Sequence, residues 1–142
     1  MRNVLTLIPL LCTSVLAGPG TVAADVLGSP ACGVLNVTPN GRNEHIELLG
    51  VRPLEDAASH ERCRTLGAKL AGKRVLLIFP EGLRQFPNRK RANVFNKDNH
   101  LIAADLLRSG YAQAVTVTGN PYNSALAILS QVAHTRKTGA WR

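Results

Sequence analysis

The sequence predicts an α+β fold, a small β-barrel with helices packed at its ends, and three observations carry that expectation. Short β-prone runs bounded by turn signals fill much of the first two thirds of the chain. The apolar period switches to helical in three places. No internal repeat, low-complexity tract or linker divides the 142 residues. That length suits one domain, and 45% hydrophobic against 18% charged residues is a globular composition.

Taken in order, Gly33 to Val37 is β-prone, and Pro39-Asn40-Gly41 behind it is a hairpin signal. Glu44 to Val51 resumes as a strand, with Ile46, Leu48, Leu49 and Val51 apolar. From Glu55 to Leu70 the period is helical, Cys63, Leu66 and Leu70 share a face, and Gly72 stands where a C-terminal cap belongs. Val75 to Phe79 is a continuous apolar run, as a buried strand would be, and Pro80-Glu81-Gly82 ends it. A basic, Pro-containing loop from Arg84 to Arg91 leads to a strand at Ala92 to Phe95 and a turn at Asn96-Lys97-Asp98-Asn99. Ile102 to Ser109 reads as a short helix closed by Gly110. Asn120 is placed to cap the last helix, with Pro121 at its first position. Tyr122, Ala125, Leu126, Leu129, Val132 and Ala133 give that helix one apolar stripe.

Residues 1–24 read as a secretory signal, which leaves 25–142 as the folded domain of an exported protein, periplasmic or secreted. Arg2 supplies the positive start, and Val4 to Ala17 is almost wholly apolar. Val22-Ala23-Ala24 offers small residues before a cut at Asp25, and Val15-Leu16-Ala17 is a second cleavage site. The apolar run falls short of the ~20 residues that span a bilayer. Cys12 leaves with the leader and strands Cys32 and Cys63 as an even pair. In an oxidising compartment a disulfide between them is expected, adding about 3–4 kcal/mol in the chain-entropy account. The alternative is that Cys63 packs a helix face as a small apolar residue.

The formal charge is +8, from 17 Lys and Arg against 9 Asp and Glu. Such an excess favours polyanionic partners: nucleic acid, anionic headgroups or acidic envelope polymers. Arg84, Arg89, Lys90, Arg91 and Lys97 cluster on one stretch, with Phe86 and Phe95 interleaved. Basic side chains beside aromatic rings are what single-stranded nucleic acid binding uses, although Phe95 on a strand fits core packing as well. A solvated basic loop is the competing account. His45, His60, His100 and His134 are scattered without metal-ligand spacing. No Ser/His/Asp set, zinc spacing, phosphate loop or paired-carboxylate motif stands out.

With particular residues added, the element order resembles the staphylococcal nuclease (thermonuclease) family across roughly residues 24 to 141. Ala24 to Val37 has the length of the first two strands around that family's D-G-D-T motif. Ile46 to Glu55, here I-E-L-L-G-V-R-P-L-E, is similar to its R-L-x-G-I-D-T-P-E segment. Leu66 to Leu76, with Ala71-Gly72-Lys73-Arg74-Val75, is similar to L-x-G-K-x-V. Leu106 to Ala112 is similar to L-V-x-x-G-x-A, and Tyr122 to Trp141 to the closing Y-x(3)-L-x(n)-G-x-W. The resemblance implies a five-stranded OB-fold-type barrel with three helices.

It also implies where the family's chemistry would sit. The family holds Ca²⁺ with one Asp of D-G-D-T and one of I-D-T-P, uses the Glu after that Pro as base, and clamps phosphate with two Arg. Here the D-G-D-T positions are Ala31, Cys32, Gly33 and Val34, and the second Asp is Arg52. The first clamping Arg is Glu47, the base position keeps Glu55, and the second Arg is Lys90, or Arg91 with a one-residue shift. Ca²⁺ needs hard oxygen ligands, and these are gone, so no cofactor is expected unless a rearranged site retains the nuclease activity. Glu47 and Arg52 are expected to face each other as an ion pair. The expected function is that of an exported binding module for nucleic acid, another polyanion or an envelope protein. A calcium-dependent phosphodiesterase and a structural subunit of an envelope assembly are the alternatives.

Overall fold

The computed structural model describes residues 20–142, Pro87 excepted. Most of the expected leader, with Cys12 and the expected cleavage site after Ala17, lies outside the described residues. In chain order the strands are β1 (Thr21–Ala31), β2 (Val34–Thr38), β3 (Glu44–Leu48), β4 (Val51–Pro53), β5 (Arg74–Ile78), β6 (Lys90–Phe95) and β7 (Ala112–Ala114). The helices are α1 (Ala57–Ala68), α2 (Ile102–Ser109) and α3 (Asn123–Thr135), followed by a 3₁₀ turn at Gly139–Trp141.

Five strands close into a barrel in the order β1-β2-β3-β6-β5, and β4 pairs with β7 outside it. The β3–β6 pairing is parallel and every other barrel pairing is antiparallel. With three helices this is the α+β, OB-fold-like barrel that the sequence predicts. Period-two alternation fills the interior: Leu35 and Val37, Ile46 and Leu48, Val75 and Leu77 are buried while their neighbours are more open.

Helix α1 lies close against β1 because its inner face is built from small residues, Ser59, Cys63 and Gly67. A Cβ at Gly67 would stand 2.8 Å from the Ser29 hydroxyl, so this crossing depends on the missing side chain. Cys32 and Cys63 are joined by a disulfide at the same contact.

Several boundaries differ from the sequence expectation, each for a physical reason. Strand β1 begins at Thr21, upstream of Asp25, and Thr21 to Asp25 pair with Ile78 to Arg74. The run Glu44 to Val51 is not one strand. Gly50, at φ +84°, turns the chain between β3 and β4, and a Cβ there would collide with Leu126. Helix α1 starts at Ala57, where the Asp56 carboxylate accepts from Ser59 N–H at 2.9 Å, so Glu55 precedes the cap instead of sitting in the first turn. Helix α3 starts at Asn123, not at Pro121. Asn120 is buried, and its Oδ1 accepts from Tyr122 N–H and from Asn93 Nδ2, each at 3.2 Å. Strand β7 has no counterpart in the sequence reading because three residues, Ala-Gln-Ala, carry almost no β signal. Among the described residues no helix is long and apolar enough to cross a membrane.

Candidate anion-binding cleft

The turns at one end of the barrel bring Gly33, Gly50 and Gly82 together with four arginines. The β1–β2 connection is two residues, Cys32 and Gly33, and Gly33 adopts φ +78°, a left-handed turn that other residues resist. The β3–β4 turn, Gly82, Arg84, Phe86, Arg89 and Arg91, and Val115 to Thr118 approach the same place. Between them lies a cleft of about 840 Å³.

Its charged lining is one-sided. Arg52, Arg84, Arg89 and Arg91 line it, with His60 at one wall and Glu47 as the one carboxylate among the described lining residues. Arg89 and Arg91, two positions apart, both reach the cleft. Lys90 between them pairs instead with Glu44, at 2.8 Å. Of the two positions that the resemblance offers for the second clamping Arg, Arg91 therefore lines the cleft and Lys90 does not. Lys97 lies on the exposed turn after β6 and does not line it either.

The basic segment is held against β6 by Gln85. Its amide donates to the Arg91 carbonyl at 2.7 Å and accepts from Arg91 N–H at 2.9 Å. The Arg91 guanidinium donates to the Arg84 carbonyl at 2.7 Å, while its Nε is buried without a partner. Three guanidinium groups gather on the ring of Phe86. Arg84 and Arg91 each stand 5.5 Å from the ring centroid and Arg89 stands 6.0 Å away. Phe86 is 39% exposed, so its ring is open to solvent at the cleft mouth.

Glu47 does not pair with Arg52. It takes the fork of Arg89, with Nε and Nη2 each 2.9 Å from one carboxylate oxygen. The reason lies in the register. Glu47 stands opposite Arg91 on the neighbouring β6, which brings Arg89 within reach, whereas Arg52 is carried off by β4 to pair with Gln113 on β7. The hydrogen bond from Arg89 holds the Glu47 carboxyl below its ordinary value of 4.5, against a smaller opposing effect of burial, and Arg91 adds attraction. The same contact raises the Arg89 guanidinium further. Among the described residues Arg52, Arg84 and Arg91 have no carboxylate partner.

Glu55 is exposed on the bend before α1 and does not line the cleft. Among the described residues no group of three or more His, Cys, Asp or Glu side chains is placed to hold a metal ion. Two lining features escaped the sequence reading. His60 sits one helical turn before Cys63, and its Nε2 accepts from Cys32 N–H at 3.3 Å. Thr116 and Thr118 add hydroxyls to the far wall. Only their later placement beside the arginines gives them meaning. No family model and no curated protein matches this chain.

Proposed function

We propose that this chain is an exported binding module that takes a polyanion, single-stranded nucleic acid foremost, in the arginine-lined cleft of a thermonuclease-like barrel. The observation that carries the reading is the gathering of Arg84, Arg89 and Arg91 around the exposed ring of Phe86. Guanidinium groups hold phosphate by charge and paired hydrogen bonds, and an open ring gives a base a face to stack on. The metal-dependent chemistry of the family is not proposed. The positions matching its two Asp ligands are Gly33 and Arg52, neither of which can supply a carboxylate oxygen.

The test is a titration of fluorescent oligo(dT) at two salt concentrations. Affinity should fall steeply with salt, with a log–log slope of about −0.7 per phosphate contact. Replacing Arg84, Arg89 and Arg91 together by Ala should weaken binding and make that slope shallower by about 2. Absence of binding at low salt, or a triple variant that binds unchanged, overturns the reading. Calcium-dependent plasmid cleavage abolished by Glu55→Ala would restore the enzyme.

One observation favours a protein partner as a second reading. On the outer side of α3, Ile128 is 62% exposed and Val132 37%, leaving apolar surface uncovered as a subunit of an envelope assembly would. Co-purification that Ile128→Asp disrupts, with oligo(dT) binding intact, would support it.

A further inference from the structure

The one carboxylate in the cleft is placed where it competes with any anionic ligand. Arg84 and Arg91 offer guanidinium groups with no carboxylate partner among the described residues. Arg89 has the Nε–Nη2 side of its guanidinium occupied, because both of those nitrogens donate to Glu47 at 2.9 Å. A ligand anion that takes this bidentate side of Arg89 must therefore displace Glu47.

Resting on the polyanion-binding reading above, we propose that Glu47 is the specificity-determining residue of the cleft, an internal counter-anion on Arg89 that admits multivalent phosphate strands and turns away single small anions. The physical reason is valency. An isolated anion at Arg89 breaks one bidentate pair to make another and leaves the Glu47 carboxylate beside it, like charge against like. A strand can first settle on Arg84 and Arg91, both about the same distance from the Phe86 ring as Arg89 is. Its next phosphate then meets Arg89 at high effective concentration and competes with Glu47 as an intramolecular ligand. Both partners of the pair are substantially solvent-exposed, Arg89 at 60% and Glu47 at 33%, so the exchange faces only a modest barrier in stability.

Glu47→Gln keeps the shape and removes the charge. The probes are fluorescent oligo(dT), with inorganic phosphate as the small-anion competitor. The variant should bind the strand about two- to five-fold tighter. Inorganic phosphate should compete against the strand more effectively in the variant than in the wild type. Both gains should vanish when Arg89 is Ala. Equal or weaker strand binding by Glu47→Gln overturns the proposal. So does a gain of the same size in the Arg89→Ala background, which would be net charge alone. Failure of the wild type to bind the strand at low salt removes the cleft as an anion site and this proposal with it. A second readout needs no substitution. The Arg89 Nε–H resonance should shift on saturation with the strand and stay in place with equimolar inorganic phosphate, and an unmoved resonance at saturating strand is equally fatal.

Discussion

Cys32 and Cys63 are bonded with their α-carbons 5.0 Å apart, which ties the two-residue turn between β1 and β2 to the buried face of α1. The same turn is a wall of the arginine cleft. Cys32 lines it, Gly33 shapes it, and Cys32 N–H donates to His60 on the helix. One covalent link thus sets both the seat of α1 on the barrel and the position of one cleft wall. At this point the resemblance would have a metal-binding Asp, and the chain has a disulfide and a left-handed glycine instead.

Because the bond closes a loop spanning a sequence separation of 31, its loss should be costly. The Cys32→Ser, Cys63→Ser double variant is expected to lose about 3–4 kcal/mol of stability in urea unfolding, and reducing agent should lower the wild type by a similar amount. A wild type whose unfolding midpoint ignores reducing agent would show that the bond contributes nothing.

Phe86 separates stacking from charge. If bases stack on its ring, Phe86→Ala should weaken oligo(dT) binding by about 1–3 kcal/mol while leaving binding of inorganic polyphosphate nearly unchanged. Phe86→Tyr should retain most of the strand affinity. Equal losses for strand and polyphosphate would mean that the ring serves only to arrange the three guanidiniums.

The acid limb of stability follows from Glu47. Its carboxyl is held below its ordinary 4.5 chiefly by the hydrogen bond from Arg89. A folded value below the unfolded one means that the charged form is favoured by folding. The contribution is fully present above about 4.5 and is lost as the pH falls through the folded value. Glu47→Gln should therefore melt below the wild type at pH 7, and the gap should close as the pH drops below 4.5. A gap that stays constant from pH 7 to pH 3 would show that the Arg89 contact does not stabilise the charged carboxylate.

Much of the barrel was legible in the chain because burial and periodicity speak together there. Val75 to Phe79 was readable as an interior strand, and Cys63 as a helix residue facing inward. What could not be read depends on contacts between distant segments. The break at Gly50 exists because Leu126 fills the space its side chain would need, and nothing local to Gly50 announces Leu126. The close seat of α1 rests on Ser59 and Gly67, which hydrophobic periodicity passes over. For the site, charge clustering found Arg84, Arg89 and Arg91 but could not separate them from Lys90 and Lys97. The parallel register of β3 against β6 makes that distinction and sends Glu47 to Arg89, and long-range pairing of this kind leaves no short-range signal.

The expected leader cleavage gives a last prediction, drawn from the barrel itself. Thr21 to Ala24 are four consecutive residues of β1, paired with Ile78 to Val75. Ala24 is buried, at 1% exposed. Gly20 accepts a backbone hydrogen bond from Phe79 at 2.6 Å. A cut before Asp25 would strip this part of the seam, uncovering β5 where it now closes the barrel and leaving polar backbone groups to water. A cut after Ala17 would spare every one of these pairings. If the chain is exported as proposed, its first residue should therefore lie upstream of Thr21, at Gly18, as intact mass and N-terminal sequencing would read. A chain engineered to start at Asp25 should unfold at lower urea than one starting at Gly18. Recovery of Asp25 as the natural first residue of a fully folded domain, no less stable than the longer form, would mean that the β1–β5 seam is dispensable at that end.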